Sequence, residues 1–171
     1  MSHDTQPITG QASQRLRLEH EQLISDFVKL GSETSGHKEL STQVLAILLP
    51  HTETEERILL PVLDGVANFA KTGSRSSLKD YAAHEFRLSL ILEGLSLDHA
   101  KLKALALTIT GQVQSDALSD MVALANRLVD HMAFEDELLY PVCKAFTSYA
   151  LKVERGHGLW RNPQDGERRR E

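Results

Sequence analysis

His51-Thr-Glu-Thr-Glu55-Glu56 and His131-Met-Ala-Phe-Glu135-Asp136 read as two copies of one segment. Each histidine has a glutamate four residues on and a proline, Pro61 or Pro141, ten residues on. Side chains four apart on a helix share a face and lie about 6 Å apart along the axis, so each copy can turn an imidazole and a carboxylate towards one point. Two such copies facing each other have the makings of a metal cage.

Four stretches of heptad-like apolar spacing carry these segments. The first, 13–30, sets Leu16, His20, Leu23, Phe27 and Leu30 on one stripe, and Gly31 and Gly36 break it. The second, 38–69, aligns Leu40, Val44, Leu48, His51, Glu55, Ile58, Val62 and Phe69. Pro50 and Pro61 lie inside it, where kinks are expected, and Pro50 is a candidate start of a new helical segment. The third, 76–93, has Tyr81, His84, Leu88, Ile91 and Leu95 in line, with Gly94 as its stop. The fourth, 115–153, has Leu118, Met121, Ala125, Leu128, His131, Glu135, Leu138, Val142 and Tyr149. A Leu-rich piece at 98–110, between Gly94 and Gly111, reads as a short connecting helix. The expected fold is all-α: an antiparallel up-down four-helix bundle with that connecting helix between helices three and four. The bundle spans 13–153, between an N-terminal extension at 1–12 and a mobile tail at 154–171.

Composition agrees with this architecture. At 171 residues, with 41% apolar and 5% aromatic side chains, few Gly and Pro and much Leu and Ala, the chain suits one helical domain. A net charge of −5, with only Arg168, Arg169 and Arg170 clustered, argues against a nucleic-acid groove. The one cysteine, Cys143, excludes an internal disulfide and a thiolate metal site, and fits a reducing, cytoplasmic setting. Neither an export signal nor a run of about 20 apolar residues is present, so no membrane association is expected.

Four histidines and two glutamates occupy places where a bundle stripe calls for Leu or Ile: His20, His51, Glu55, His84, His131 and Glu135. One histidine on an apolar stripe is more often a hydrogen-bonded core residue, and one His-x-x-x-Glu is often a surface pair. Six ionisable groups converging from four helices are different, because a buried unpaired charge costs several kcal/mol unless a cation or hydrogen bonds compensate it. Imidazole and carboxylate without thiolate suit iron, with zinc or manganese as alternatives. Two octahedral ions bridged by Glu55 and Glu135, each holding two histidines, use all six groups and keep positions for a small exogenous ligand.

Other candidates carry less. Glu56 and Asp136 point about 100° away from their neighbours, although Asp136 replaces Glu135 if the helix is distorted. Tyr81, one turn from His84, is either a donor to the cavity or a core tyrosine. His3, His37, His99 and His157 read as surface residues, and Cys143 as a small hydrophobe. The Glu-x-x-His spacing of ferritin-like bundles occurs only at Glu154–His157, and no His-Glu-x-x-His zinc motif is present.

The blocks Leu18-Glu-His20-Glu-Gln-Leu, Leu49-Pro-His51-Thr-Glu-Thr-Glu55-Glu56, Ala83-His84-Glu-Phe-Arg-Leu and Asp130-His131-Met-Ala-Phe-Glu135-Asp136 together resemble the haemerythrin-like (HHE cation-binding) family over about 13–153. The resemblance implies a non-haem di-iron centre that binds dioxygen, nitric oxide or peroxide. The fifth histidine of oxygen carriers, four residues from the one on the third helix, is missing: Asp80 and Leu88 stand there. Members that repair iron–sulfur centres carry an extra cysteine-bearing N-terminal domain, whereas here about a dozen residues precede the first helix. The expected function is therefore a cytoplasmic di-iron protein that binds or reduces a small ligand in sensing or in oxidative or nitrosative stress defence. The alternative is an iron or other metal storage or delivery module, including iron-centre repair, without turnover.

Overall fold

A computed structural model describes residues 11–33, 35–75, 78–111 and 119–156, all helices and the short turns that join them. The expected N-terminal extension up to residue 10, the tail from 157 with its three arginines, His3, His157 and Leu118 lie outside the described residues. Helix α1, Gln11–Glu33, buries Leu16, His20, Leu23, Phe27 and Leu30, the stripe its spacing predicts. Helix α2, Ser35–Thr72, runs on through Pro50 and Pro61 instead of starting afresh at Pro50. Both prolines are exposed, as are Ala46 and Arg57, whose carbonyls lose a donor to them, so water can serve those carbonyls.

The third expected helix is divided differently. A short helix α3, Leu78–Ala82, ends in a turn at 83–84, and α4 runs unbroken over Glu85–Gly111. Its buried face is Leu88, Leu92, Leu95, His99, Leu102, Ala106 and Ile109. The separate connecting helix at 98–110 is therefore the second half of α4, and Gly94 does not stop it. A Cβ built at Gly94 meets nothing within 4 Å. The residue costs helix propensity without enabling a close approach, so Gly94→Ala is expected to stabilise the fold by about 0.5–1 kcal/mol, read as a higher midpoint in urea.

The last helical span also changes phase. Helix α5, Ser119–Phe134, passes into a π-helical turn, Glu135–Leu139, and then into α6, Tyr140–Glu154. The Tyr140 N–H donates to the Glu135 carbonyl, five residues back. Pro141 has no N–H and its ring crowds the preceding turn, and widening that turn by one residue accommodates it. The extra residue rotates everything beyond it. Leu139, Tyr140, Cys143, Phe146 and Ala150 are buried, while Leu138 of the expected stripe is 52% exposed and Val142 and Tyr149 are half-buried.

α1 packs on α2 and α5; α4 packs on α2, α5 and α6; and α3 covers α6. The interior holds two apolar clusters. One contains Leu16, Leu59, Leu88, Leu95 and Leu139; the other contains Leu23, Leu48, Leu102, Leu128 and Met132. In sequence, His20 falls between Leu16 and Leu23, His51 and Glu55 between Leu48 and Leu59, and His99 between Leu95 and Leu102. Glu135 likewise falls between Met132 and Leu139. A polar layer thus divides the core at one level of every long helical span, with oil on both sides to exclude water.

Candidate metal centre

Within that layer, His20, His51, Glu55, His99 and Glu135 are each at most 2% exposed. Of the six residues read from the sequence as ligands, five meet here: His20, His51, Glu55, His131 and Glu135. His84 does not. It is exposed in the turn before α4, 15 residues ahead of His99, or roughly 22 Å along a helix at 1.5 Å per residue. The physical reason is the break at 83–84: the stripe through Tyr81 and His84 stops there, and α4 begins its own, on which His99 faces inward. His99, expected on the surface, takes the place assigned to His84.

The donors form two groups whose ligand atoms all lie within 4.8 Å of one another. One is His51, Glu55, His99 and Glu135; the other is His20, His131 and Glu135. Nε2 atoms face the centre. His51 Nε2 is 3.1 Å from His99 Nε2 and 3.5 Å from Glu55 Oε2. His20 Nε2 is 3.4 Å from Glu55 Oε2 and 3.5 Å from Glu135 Oε1. His99 Nε2 lies 3.2 Å from Glu135 Oε2, and His131 Nε2 lies 2.9 Å from Glu135 Oε1.

Each Nδ1 faces a carboxylate on a neighbouring element: Glu56 at 3.0 Å from His20, Asp136 at 2.8 Å from His99, Glu19 at 3.5 Å from His131 and Asp98 at 3.9 Å from His51. For His20 and His99, whose Nδ1 atoms are hydrogen-bonded to these carboxylates, Nδ1–H given outward leaves the Nε2 lone pair facing inward, the usual support of a metal-binding histidine. The carboxylates are themselves paired, Glu19 with Arg15, Glu56 with Arg17, Asp98 with Lys101 and Asp136 with Lys103. Outer charges are thereby balanced, and among the described residues Glu55 and Glu135 have no lysine or arginine partner.

Burial shapes the acidities. Burial, followed by the charge of Glu135, pushes the Glu55 carboxyl up to about 9. Burial alone would also raise Glu135, but His131, His20 and His99 outweigh it and hold that carboxyl well below its usual range. His51 is lowered to about 4 by burial and by His99. For His99 and His131 burial opposes the charge, yet Glu135 with Asp136 or Glu19 raises both. Asp136, resisted by burial, is lowered by Lys103 and His99. Burial and then Glu55 raise the Cys143 thiol to about 12, in keeping with a packed, unreactive cysteine.

The fit to a cation rests on unmet polar atoms. His20 Nε2, Glu55 Oε2, His131 Nε2 and both Glu135 oxygens are fully buried and have no hydrogen bond among the described residues. The His131–Glu135 approach of 2.9 Å is electrostatic contact without hydrogen-bond alignment. Buried polar atoms are almost always satisfied, so five inward-facing orphans in one layer are what a nitrogen- and oxygen-ligated ion would complete.

Tyr140 also enters the layer. Its Oη donates to Glu55 Oε1 at 2.5 Å and lies 3.1 Å from His99 Nε2. Burial and the charge of Glu55 raise its pKa, which keeps the phenol a donor. Tyr81, the tyrosine read from sequence as a candidate, instead packs tilted against Phe146, with ring centroids 5.1 Å apart, and fills the space over Gly65. Glu56 and Asp136 face the backs of the histidines. His37, expected at the surface, is buried.

A signal for His99 was present in the sequence. Glu19-His20 and Asp98-His99 are matching acid–histidine pairs, and the steps from His20 to His51 and from His99 to His131 are 31 and 32 positions. Tyr140 had no such signal, because its direction depends on the π turn.

The family model of the Hemerythrin HHE cation binding domain matches residues 11–143, and the chain belongs to that family. No curated protein and no solved structure matches significantly. Membership and the two donor groups together point to metal, typically iron, as the occupant of the layer.

Proposed function

We propose that the chain is a non-haem di-iron protein on an antiparallel up-down four-helix bundle. Its centre binds or reduces a small ligand, dioxygen, peroxide or nitric oxide, in cytoplasmic sensing or stress defence. His51, His99 and Glu55 would hold one ion and His20 and His131 the other, with Glu135 shared between them. When bound, the iron pair supplies reversible redox chemistry at open coordination positions. The chain does the rest: the carboxylates behind the imidazoles fix their tautomers, the two apolar clusters exclude bulk water, and Tyr140 holds Glu55 in place. The convergence of unsatisfied buried atoms in one layer carries this reading.

Metal analysis and optical spectra of the chain, purified without a chelator or an affinity metal, test it. Two equivalents of iron, with a band that responds to nitric oxide or peroxide, are the expected result. A bound metal insensitive to either ligand favours storage or delivery, and a metal-free chain overturns both readings.

Loading must displace the Glu55 proton, because the raised carboxyl is neutral at pH 7. Its folded pKa lies above the ordinary value of 4.5, so the proton is held until pH passes about 9. Iron affinity is therefore expected to climb with pH towards that point by about tenfold per unit from this proton alone. The slope is steeper where His99 and His131, both raised, also release theirs. Metal-buffered titrations at several pH values check the slope, and a flat profile would contradict the assignment of Glu55.

A further inference from the structure

The two halves of the centre differ, and the difference, read together with the metal assignment above, indicates where an outside ligand binds. His51, Glu55, His99 and Glu135 bring four donors to one half, whereas His20, His131 and Glu135 bring three to the other. Fewer protein donors leave more of an ion's coordination sphere open.

Tyr140 covers the four-donor half. Its ring stacks on the His99 imidazole, with centroids 5.3 Å apart and planes 15° apart, while its hydroxyl reaches both His99 and Glu55. The three-donor half adjoins a groove of about 900 Å³ beside α1, α5 and the π turn. Leu16, Leu23, Leu63, Leu138 and Val142 line it, and His131 forms part of its wall; His51, His99 and Tyr140 do not. The His131 side chain is 7% exposed, against 1–2% for the other three histidines of the layer.

We propose that small uncharged ligands of the dioxygen and nitric oxide class reach the centre through this groove and bind on its His20/His131 half, while Tyr140 closes the His51/His99 half. The lining favours such ligands because an apolar diatomic gains by leaving water for an apolar surface. Anions gain little there. The arginines beside the groove are already paired, Arg15 with Glu19 and Arg127 with Asp26, and offer no free positive charge to draw an anion in.

Two measurements test the proposal. In the metal-free chain, xenon is expected to shift the methyl resonances of Leu63, Leu138 and Val142 and to leave the methyl groups packed around His99 unmoved; the reverse pattern overturns the route. In the iron-loaded chain, stopped-flow nitric oxide binding is the readout. Leu138→Trp, at a half-exposed position on the groove, is expected to slow binding by roughly tenfold, within the span that single substitutions impose on association rates. Phe134→Ala widens the groove and is expected to speed it, both with iron content unchanged. Equal rates in both variants, at two irons per chain, sink the groove and leave the metal centre standing. An unmodified chain that takes up no iron sinks the metal reading and this inference with it.

Discussion

Glu135→Gln is expected to abolish metal binding at both positions, taking iron from two equivalents per chain to near none. Glu135 is the one residue common to both donor groups, and its two oxygens face His131 and His99 on opposite sides of the layer. It is also the carboxylate that the surrounding histidines keep ionised, so it presents charge to an incoming cation without first losing a proton. Glutamine keeps the size and removes the charge, leaving an amide that is a poor ligand and that places two N–H donors among imidazole nitrogens. The same change removes the thermal stabilisation that metal confers on the parent. At a hundredfold excess over Kd, bound metal stabilises the folded state by about 2.7 kcal/mol, so iron should raise the melting temperature of the parent and leave that of the variant unmoved. Retention of two irons in Glu135→Gln would rule out a shared role for this carboxylate. A purely structural bundle predicts the opposite trend, with Glu135→Leu stabilising and no metal effect in either protein.

Much of this centre could be read from periodicity alone, and the gaps have physical causes. His20, His51, Glu55, His131 and Glu135 fall in register with the apolar stripes of their helices, so their direction follows from spacing. The ends of α3 and α4 did not follow from spacing, because Tyr81, His84 and Leu88 keep the period across a point where the backbone turns. A stripe cannot show a break that preserves its phase. Beyond Glu135 the failure was of the other kind. The π turn shifts the phase by one residue, so a heptad drawn through Leu138 and Val142 selects the half-exposed face and passes over Tyr140 and Cys143. Pro141 was the visible hint, since a proline inside a helical span must be accommodated somewhere in the preceding turn. The outer ring of Glu19, Glu56, Asp98 and Asp136 is hardest to read from sequence, because each member supports a histidine on a different helix.

His99→Leu and His84→Leu are expected to part company, and the pair decides which histidine of this region serves the centre. His84→Leu changes an exposed turn residue far from the layer, so iron content should stay at two and stability should move by no more than about 0.5 kcal/mol. His99→Leu removes a donor from the four-member group, and with it the contacts of Nε2 to His51 and Tyr140 and of Nδ1 to Asp136. Iron is expected to fall from two equivalents to about one, because the His51 side is left with a single imidazole beside its carboxylates, while His20, His131 and Glu135 keep their own group with two. Without metal the two variants diverge in stability as well. Leucine matches Leu95 and Leu102 on the same face of α4 and relieves an imidazole of burial, but it leaves the Tyr140 hydroxyl with Glu55 as its sole partner among these contacts. Inductively coupled plasma measurement of iron on both variants, run beside the parent, gives the answer directly. Two irons in His99→Leu and fewer in His84→Leu would return the assignment to His84.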